Sequence, residues 1–148
     1  MSTTPQPVDL ERVRSYLAGR RLEYGASNSF SWSVVTENAL ILWTLENPQV
    51  LQIRGQWRGT AEDPESFQDI CRAIANCNAT RLSPKAHLLS LAGGKHHGVM
   101  AECNILTDGG LTEQQFYAFC ESSLTAMLSF FADLERRNPN LVTWRQNS

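Results

Sequence analysis

Residues 85–105, KAHLLSLAGGKHHGVMAECNI, contain a strong folding signal. In residues 99–105, Val, Ala, Cys and Ile alternate with Met, Glu and Asn, which is typical of a strand with one buried and one wet face. Residues 85–91 are interpreted as a second strand. Between the two strands lies GGKHHG, residues 93–98, and a polar glycine-rich segment in this position is typical of a hairpin loop. The sequence therefore predicts an antiparallel hairpin.

GGKHHG also shares features with two kinds of functional motif. A phosphate-binding loop requires Ser or Thr after its lysine and a helix after that, but His96 follows Lys95 and a strand comes next. His96 and His97 should point to opposite faces of an extended chain, so they would rarely bind one metal ion. We predict that the segment is a connector, without a metal or another cofactor.

Three further strands are predicted in the first half of the chain. Residues 31–36 and 39–45 flank a short polar turn, which is typical of a hairpin. Val50–Trp57 follows the breaker Asn47-Pro48 and alternates, with Leu51, Ile53 and Trp57 on one side. Residues 23–30 are poor in apolar residues, so the start of the sheet is left open there and the predicted order counts no strand in this region. A sheet of about five strands is expected.

Three helices complete the prediction. Asp9 is suited to cap the first, and Asp63 the second, which has proline at its first helical position. The third begins at Thr112, where Gln115 completes a capping box, and it ends near residue 138. Its predicted buried residues recur at helical spacing: Phe116, Phe119, Cys120, Leu124, Met127, Leu128, Phe131 and Leu134.

The element order α-β-β-β-α-β-β-α predicts an α+β fold, a single antiparallel sheet with helices packed on it. We expect a flexible N-terminal arm over residues 1–8, one domain over residues 9–139 and a C-terminal tail over residues 140–148.

Composition narrows the possible partners and the location. The chain has 148 residues, 42% of them hydrophobic and 19% charged, which is typical of one globular domain. Its net charge of -2 does not favour nucleic acid or a membrane surface. No apolar run approaches the roughly 20 residues that span a bilayer, and the N-terminal residues do not resemble a signal peptide. The four cysteines lack CxxC spacing, so we expect buried thiols and a cytoplasmic protein.

Charged residues on the predicted strands are candidate contacts for a partner or ligand. Glu102 lies in mid-strand on the wetter side, where Arg54 or Lys85 can pair with it, and an ion pair is the simpler interpretation. His87 shares its side of a strand with leucines, so a structural histidine is simpler than a general base.

Tryptophans on the strands are a second kind of candidate. Trp57 is a candidate contact, and Trp32 and Trp43 lie on neighbouring strands. A platform for single-stranded nucleic acid interleaves aromatic and basic residues, and few basic residues are present here. Burial in the core or in a protein interface explains the tryptophans better.

An ordered set of short motifs resembles the YbjN family of small bacterial proteins, over about residues 9–139. The matching pieces are Asn78, Ser83-Pro84-Lys85-Ala86, Ala101-Glu102, Gly110-Leu111-Thr112 with Gln115, and Ser129-Phe130-Phe131 with Leu134. The resemblance implies a sensory transduction regulator, similar in fold to type III secretion chaperones and commonly dimeric. It implies no catalytic residues.

Two hypotheses follow for the function. The first is a non-enzymatic interaction or regulatory protein of the YbjN type, with chaperone-like action as one form of it. It would form a homodimer and bind a further, unidentified protein. The alternative is a small-ligand sensor or small enzyme with a pocket between sheet and helices. That pocket would have His87, Glu102 or the GGKHHG loop at its mouth.

Overall fold

A computed structural model describes residues 3–145. The helices are α1 (Leu10–Gly19), α2 (Pro64–Thr80) and α3 (Glu113–Arg137). The strands are β1 (Tyr24–Asn28), β2 (Ser31–Val35), β3 (Ala39–Thr44), β4 (Val50–Trp57), β5 (Lys85–Leu91) and β6 (His96–Leu106). Short 3-10 helices cover Ala92–Gly94 and Pro139–Leu141.

The strands form one antiparallel sheet in the order β1-β2-β3-β4-β6-β5, which confirms the predicted α+β class. The sheet has six strands, so the predicted number of five was wrong. The additional strand is β1, at the edge of the sheet, where four of its five residues are exposed. Because an exposed edge strand buries little, it needs no alternating apolar pattern, and the sequence carries no signal for it.

The helices begin where the capping residues predict. The carboxylates of Asp9 and Asp63 accept hydrogen bonds from the backbone N–H of Arg12 and Ser66, both at 2.8 Å. At the start of α3, the Thr112 side chain and the Gln115 side chain exchange bonds with each other's backbone. These local bonds satisfy N–H groups that a helix leaves unpaired in its first turn.

All three helices pack on the same face of the sheet, which we call the helix face. On this face Trp32 donates a hydrogen bond to the backbone of α1, and Gly55 lies against Met127 of α3. The ring of His97 packs on Phe67 of α2, with 4.6 Å between the ring centroids. The opposite face of the sheet is therefore not covered by a helix of residues 3–145.

The buried stripe of α3 differs from its prediction at three positions. Phe130 is fully buried, whereas Leu128, predicted to face inward, is partly exposed. Ser123 is also buried. The helix is 25 residues long, and its stripe follows the sheet through Met127, Phe130 and Leu134. Leu128 lies one position away from that line, so its side chain turns towards solvent.

The cysteines are free thiols. Three of them, Cys77, Cys103 and Cys120, are buried, and Cys71 is half-buried. Burial raises the pKa of the Cys120 thiol to about 12. An ionised thiolate is the nucleophilic form of cysteine, so this thiol is chemically inert near neutral pH.

Both ends of the described chain contact the body of the protein. Gln6 and Leu111 exchange backbone hydrogen bonds at 2.9 Å. The ring of Trp144 lies edge-on to Trp57, with centroids 6.1 Å apart. The flexible arm over residues 1–8 and the tail over residues 140–148 stay predictions, and residues 1–2 and 146–148 lie outside the described range.

Candidate functional site

The candidate site lies on the sheet face opposite the helices, which we call the open face. It consists of two rows of cross-strand neighbours that run from β2 to β5. The apolar row contains Val35, Leu40, Gln56, Met100 and His87. The charged row contains Ser33, Leu42, Arg54, Glu102 and Lys85. Side chains that stand directly opposite each other on neighbouring strands are within contact distance.

Glu102 is held in the charged row by neighbours on both sides. Its side chain is only 16% exposed. One carboxylate oxygen lies 3.7 Å from Lys85 Nζ, and the other accepts a hydrogen bond from Gln52 Nε2 at 2.5 Å. The predicted ion pair thus forms with Lys85. Because the lysine is largely exposed, solvent screens this pair, and its contribution to stability is modest.

Arg54 stands opposite Glu102 in the register of β4 and β6 but does not share its ion pair. The Arg54 Nε atom is buried and has no hydrogen-bond partner among residues 3–145. A buried donor without an acceptor costs free energy, and this atom has no exposed surface through which another molecule could reach it. Arg54 as a residue is only half-buried and forms no ion pair with Glu102, so the middle of the open face presents a cationic group that can receive a carboxylate.

The apolar row lies beside this guanidinium. Val35 and Leu40 stand opposite each other and are 75% and 40% exposed, respectively. Leu42 and Met100, also on the open face, are half-buried. An exposed apolar strip next to a cation that is not paired with its neighbouring carboxylate is a combination found in protein interfaces, where apolar contact supplies the affinity and polar groups the specificity.

The structure brings four of the five sequence candidates to this face. Arg54, Lys85 and Glu102 lie together in the charged row, and His87 lies in the neighbouring row opposite Met100. Trp57 is not part of the site, since it is buried on the helix face with 1% exposure.

Sequence reasoning missed Val35 and Leu40 as site residues. The signal was present, because each alternates with residues that face the helices. It was not used because apolar residues in strands are usually assigned to the core.

The GGKHHG segment forms the predicted hairpin, but its turn is shorter than the motif. The chain turns over Ala92–Gly94 and Lys95, and β6 begins at His96. On the helix face, Lys95, His97 and Phe67 line a cavity of about 310 Å³ beside the start of α2. His87 and Glu102 lie on the opposite face, so they cannot border this cavity.

Neither a metal cluster nor a membrane-spanning helix is found in the described part of the chain. Among residues 3–145, no cluster of three or more His, Cys, Asp or Glu side chains is arranged to hold a metal ion. No helix in the same range has the length and apolarity needed to cross a membrane.

Comparison with solved structures supports the fold assignment. The crystal structure of YbjN from E. coli, described as "a putative transcription regulator", superposes with a TM-score of 0.75 at 12% identity. The match covers 91% of this chain and 97% of that one. An uncharacterized protein from Methanothermobacter thermautotrophicus has a TM-score of 0.54 at 13% identity, covering 88% and 99% of the two chains.

Comparison at the level of sequence gives the family. No curated protein shows significant similarity to the chain. Residues 9–136 match the family YbjN, described as "Putative bacterial sensory transduction regulator". This match spans most of the chain, and we conclude that the chain belongs to the YbjN family.

Proposed function

We propose that this protein is a non-enzymatic regulator that acts as a homodimer and binds another protein through the open face. The observation that carries the proposal is the half-buried Arg54, which forms no ion pair with its neighbour Glu102 and stands beside an exposed apolar strip. In an isolated protein this arrangement leaves a partly desolvated cation without a carboxylate partner among residues 3–145 and an apolar surface in contact with water. A protein partner with a carboxylate next to an apolar side chain would relieve both costs.

Regulation through protein contacts fits the charge of the chain. The related E. coli protein is described as "a putative transcription regulator". With a net charge of -2, the present chain is poorly suited to hold the DNA backbone, so we propose that it acts on a protein component of the regulatory pathway. The proposed location is the cytoplasm, supported by the four free thiols. A chaperone-like action, in which the open face holds an extended segment of its partner, is a finer form of the same proposal.

The test is affinity capture from the native cell with Arg54→Glu. This change reverses the charge at the centre of the open face, so recovery of the specific partner should fall at least about tenfold, equivalent to roughly 1.4 kcal/mol. Recovery is measured by quantitative mass spectrometry, and circular dichroism verifies that the variant is folded.

Arg72→Glu is the matched control. It makes the same change of charge on α2, where Arg72 is exposed and pairs with Asp69 at 3.3 Å, so recovery of the partner should stay at the wild-type level. Equal recovery with Arg54→Glu and wild type would contradict binding through the open face.

A second candidate function rests on the cavity beside the hairpin. Its volume of about 310 Å³ and the rings of Phe67 and His97 suit a small aromatic ligand, to which Lys95, Glu62 and Asp63 in the lining could offer polar contacts. Thermal-shift screening with nucleotides and metabolites tests it, since a ligand at 100 times its dissociation constant stabilises a protein by about 2.7 kcal/mol. A shift that His97→Ala abolishes and His87→Ala leaves unchanged would support the ligand function. The absence of any shift would count against it.

A further inference from the structure

The two outer strands of the sheet differ in how accessible their free edges are. In β1 the register with β2 shifts between Ala26 and Asn28, and such irregularities hinder pairing with another strand. The other outer strand, β5, pairs regularly with β6 along its whole length. Of the two edges, β5 is the one suited to receive a further strand.

One position of the β5 edge is already occupied. The side-chain amide of Asn78 donates to Ala86 O and accepts from Ala86 N, both at 2.8 Å. The backbone groups of Ala86 therefore point away from β6. On β6, His97 exchanges its backbone bonds with Ala61, on the side away from β5. Since strand groups alternate in direction, both observations indicate that Leu88 and Ser90 also direct their N–H and C=O outward.

The edge is open between two limits. The Asn78 amide blocks it at Ala86, and the chain turns away at Ala92, where φ is 51°. Between these limits, residues 87–91 contain no Asp, Glu, Lys or Arg, and Leu88 is 38% exposed. Natural edge strands are commonly protected by charged residues, above all lysine, and this segment lacks that protection.

We infer that two copies of this protein pair antiparallel through their β5 edges, with the two-fold axis at Leu89. The inference rests on the proposed homodimer and specifies its interface. Leu88 of each copy exchanges backbone hydrogen bonds with Ser90 of the other, and the result is one continuous sheet across the dimer.

The Asn78 amide selects this register. A pairing centred on Leu88 would bring Ser90 of one copy opposite Ala86 of the other, but the backbone groups of Ala86 are already bonded to Asn78. A pairing centred on Leu89 uses only the groups that are free. Its centre coincides with the middle of the open segment, residues 87–91.

Side chains on the open face favour the same register. Leu89 of one copy meets Leu89 of the other, and His87 meets Leu91. Leu89 and Leu91 both lie beside Gly98, since a Cβ atom placed on that glycine would be 4.0 Å from the first and 3.4 Å from the second. Pairing therefore joins two small apolar patches across the axis. It also leaves Arg54, Val35 and Leu40 of each copy free for a partner.

The experiment uses the self-pairing of Leu89. In Leu89→Lys or Leu89→Glu, two like charges would meet at the axis, where opposed side chains have Cβ atoms about 4.5–5.5 Å apart. Sedimentation equilibrium at high micromolar concentration should show a dimer for wild type and half that mass for each variant. An equimolar mixture of the two variants should regain the dimer mass, and native mass spectrometry should identify it as the mixed species.

Two further variants test whether the dimer depends on the β5 edge itself. Ser90→Pro removes an N–H that points away from β6, so it should abolish the dimer while circular dichroism stays unchanged. Val35→Lys places a lysine at the far side of the open face, and the dimer should persist. If both Leu89 variants remain dimeric, this interface is refuted although the proposed homodimer survives. A monomeric wild type would refute both.

Discussion

Trp57→Ala is expected to lower the free energy of unfolding by about 3–5 kcal/mol, because it removes a large, fully buried ring from a packed core. Trp57 is 1% exposed, and its Nε1 donates to Glu135 Oε2 at 3.3 Å. The truncation leaves a cavity beneath Trp144, whose ring packs edge-on against Trp57. Urea denaturation followed by circular dichroism measures the loss.

Trp57→Phe is the matched control for this change. Phenylalanine keeps much of the apolar volume and loses the indole N–H, so the expected loss is about 1–2 kcal/mol. A change within about 0.5 kcal/mol for Trp57→Ala is the typical result for an exposed side chain, and it would mean that Trp57 belongs to a binding surface instead.

Gly110→Ala is expected to lower the free energy of unfolding by about 2–4 kcal/mol, since it combines backbone strain with a clash. Gly110 has φ of 81°, a conformation that residues with a Cβ atom rarely adopt. A Cβ atom there would lie 2.5 Å from the Gln6 carbonyl oxygen. The variant should therefore release residue 6 from Leu111, and hydrogen exchange of these amides should accelerate.

A substitution at the neighbouring Gly109 distinguishes the effect of backbone strain from that of the steric clash. Gly109 has φ of 83°, and a Cβ atom there would meet nothing within 4 Å. Gly109→Ala should thus show only the strain, about 1–2 kcal/mol, and leave the exchange of Gln6 unchanged. Equal losses of stability for both variants would contradict a close contact between the arm and Gly110.

Features that depend on neighbours in sequence were predicted well. The caps at Asp9, Asp63 and Thr112 act on residues three positions away, so the starts of the helices follow from the sequence. Alternation placed Arg54 and Glu102 on one face of the sheet for the same reason. The edge strand β1 was missed because an element with little burial needs no pattern.

The properties of the candidate site depend on residues far apart in sequence. Glu102 has Arg54 and Lys85 as cross-strand neighbours and pairs with the lysine, which leaves the Arg54 Nε without an acceptor among residues 3–145. No local sequence pattern specifies with which of two neighbouring cations a carboxylate forms an ion pair. The burial of Trp57 was likewise not predictable from local sequence, because its place in the alternating pattern is compatible with either the core or an interface. Its contacts with α3 and with residue 144 place it in the core.

The fold class, the starts of the helices, the hairpin at residues 93–98 and the family all follow from the order of the amino acids. Three other features follow only from the way the chain packs: one sheet face stays open, the Arg54 Nε finds no acceptor within residues 3–145, and Asn78 closes one end of the β5 edge. The physical reason is the sequence separation over which each kind of interaction acts. Capping and alternation act between residues a few positions apart, whereas burial and hydrogen-bond satisfaction depend on which distant segments meet.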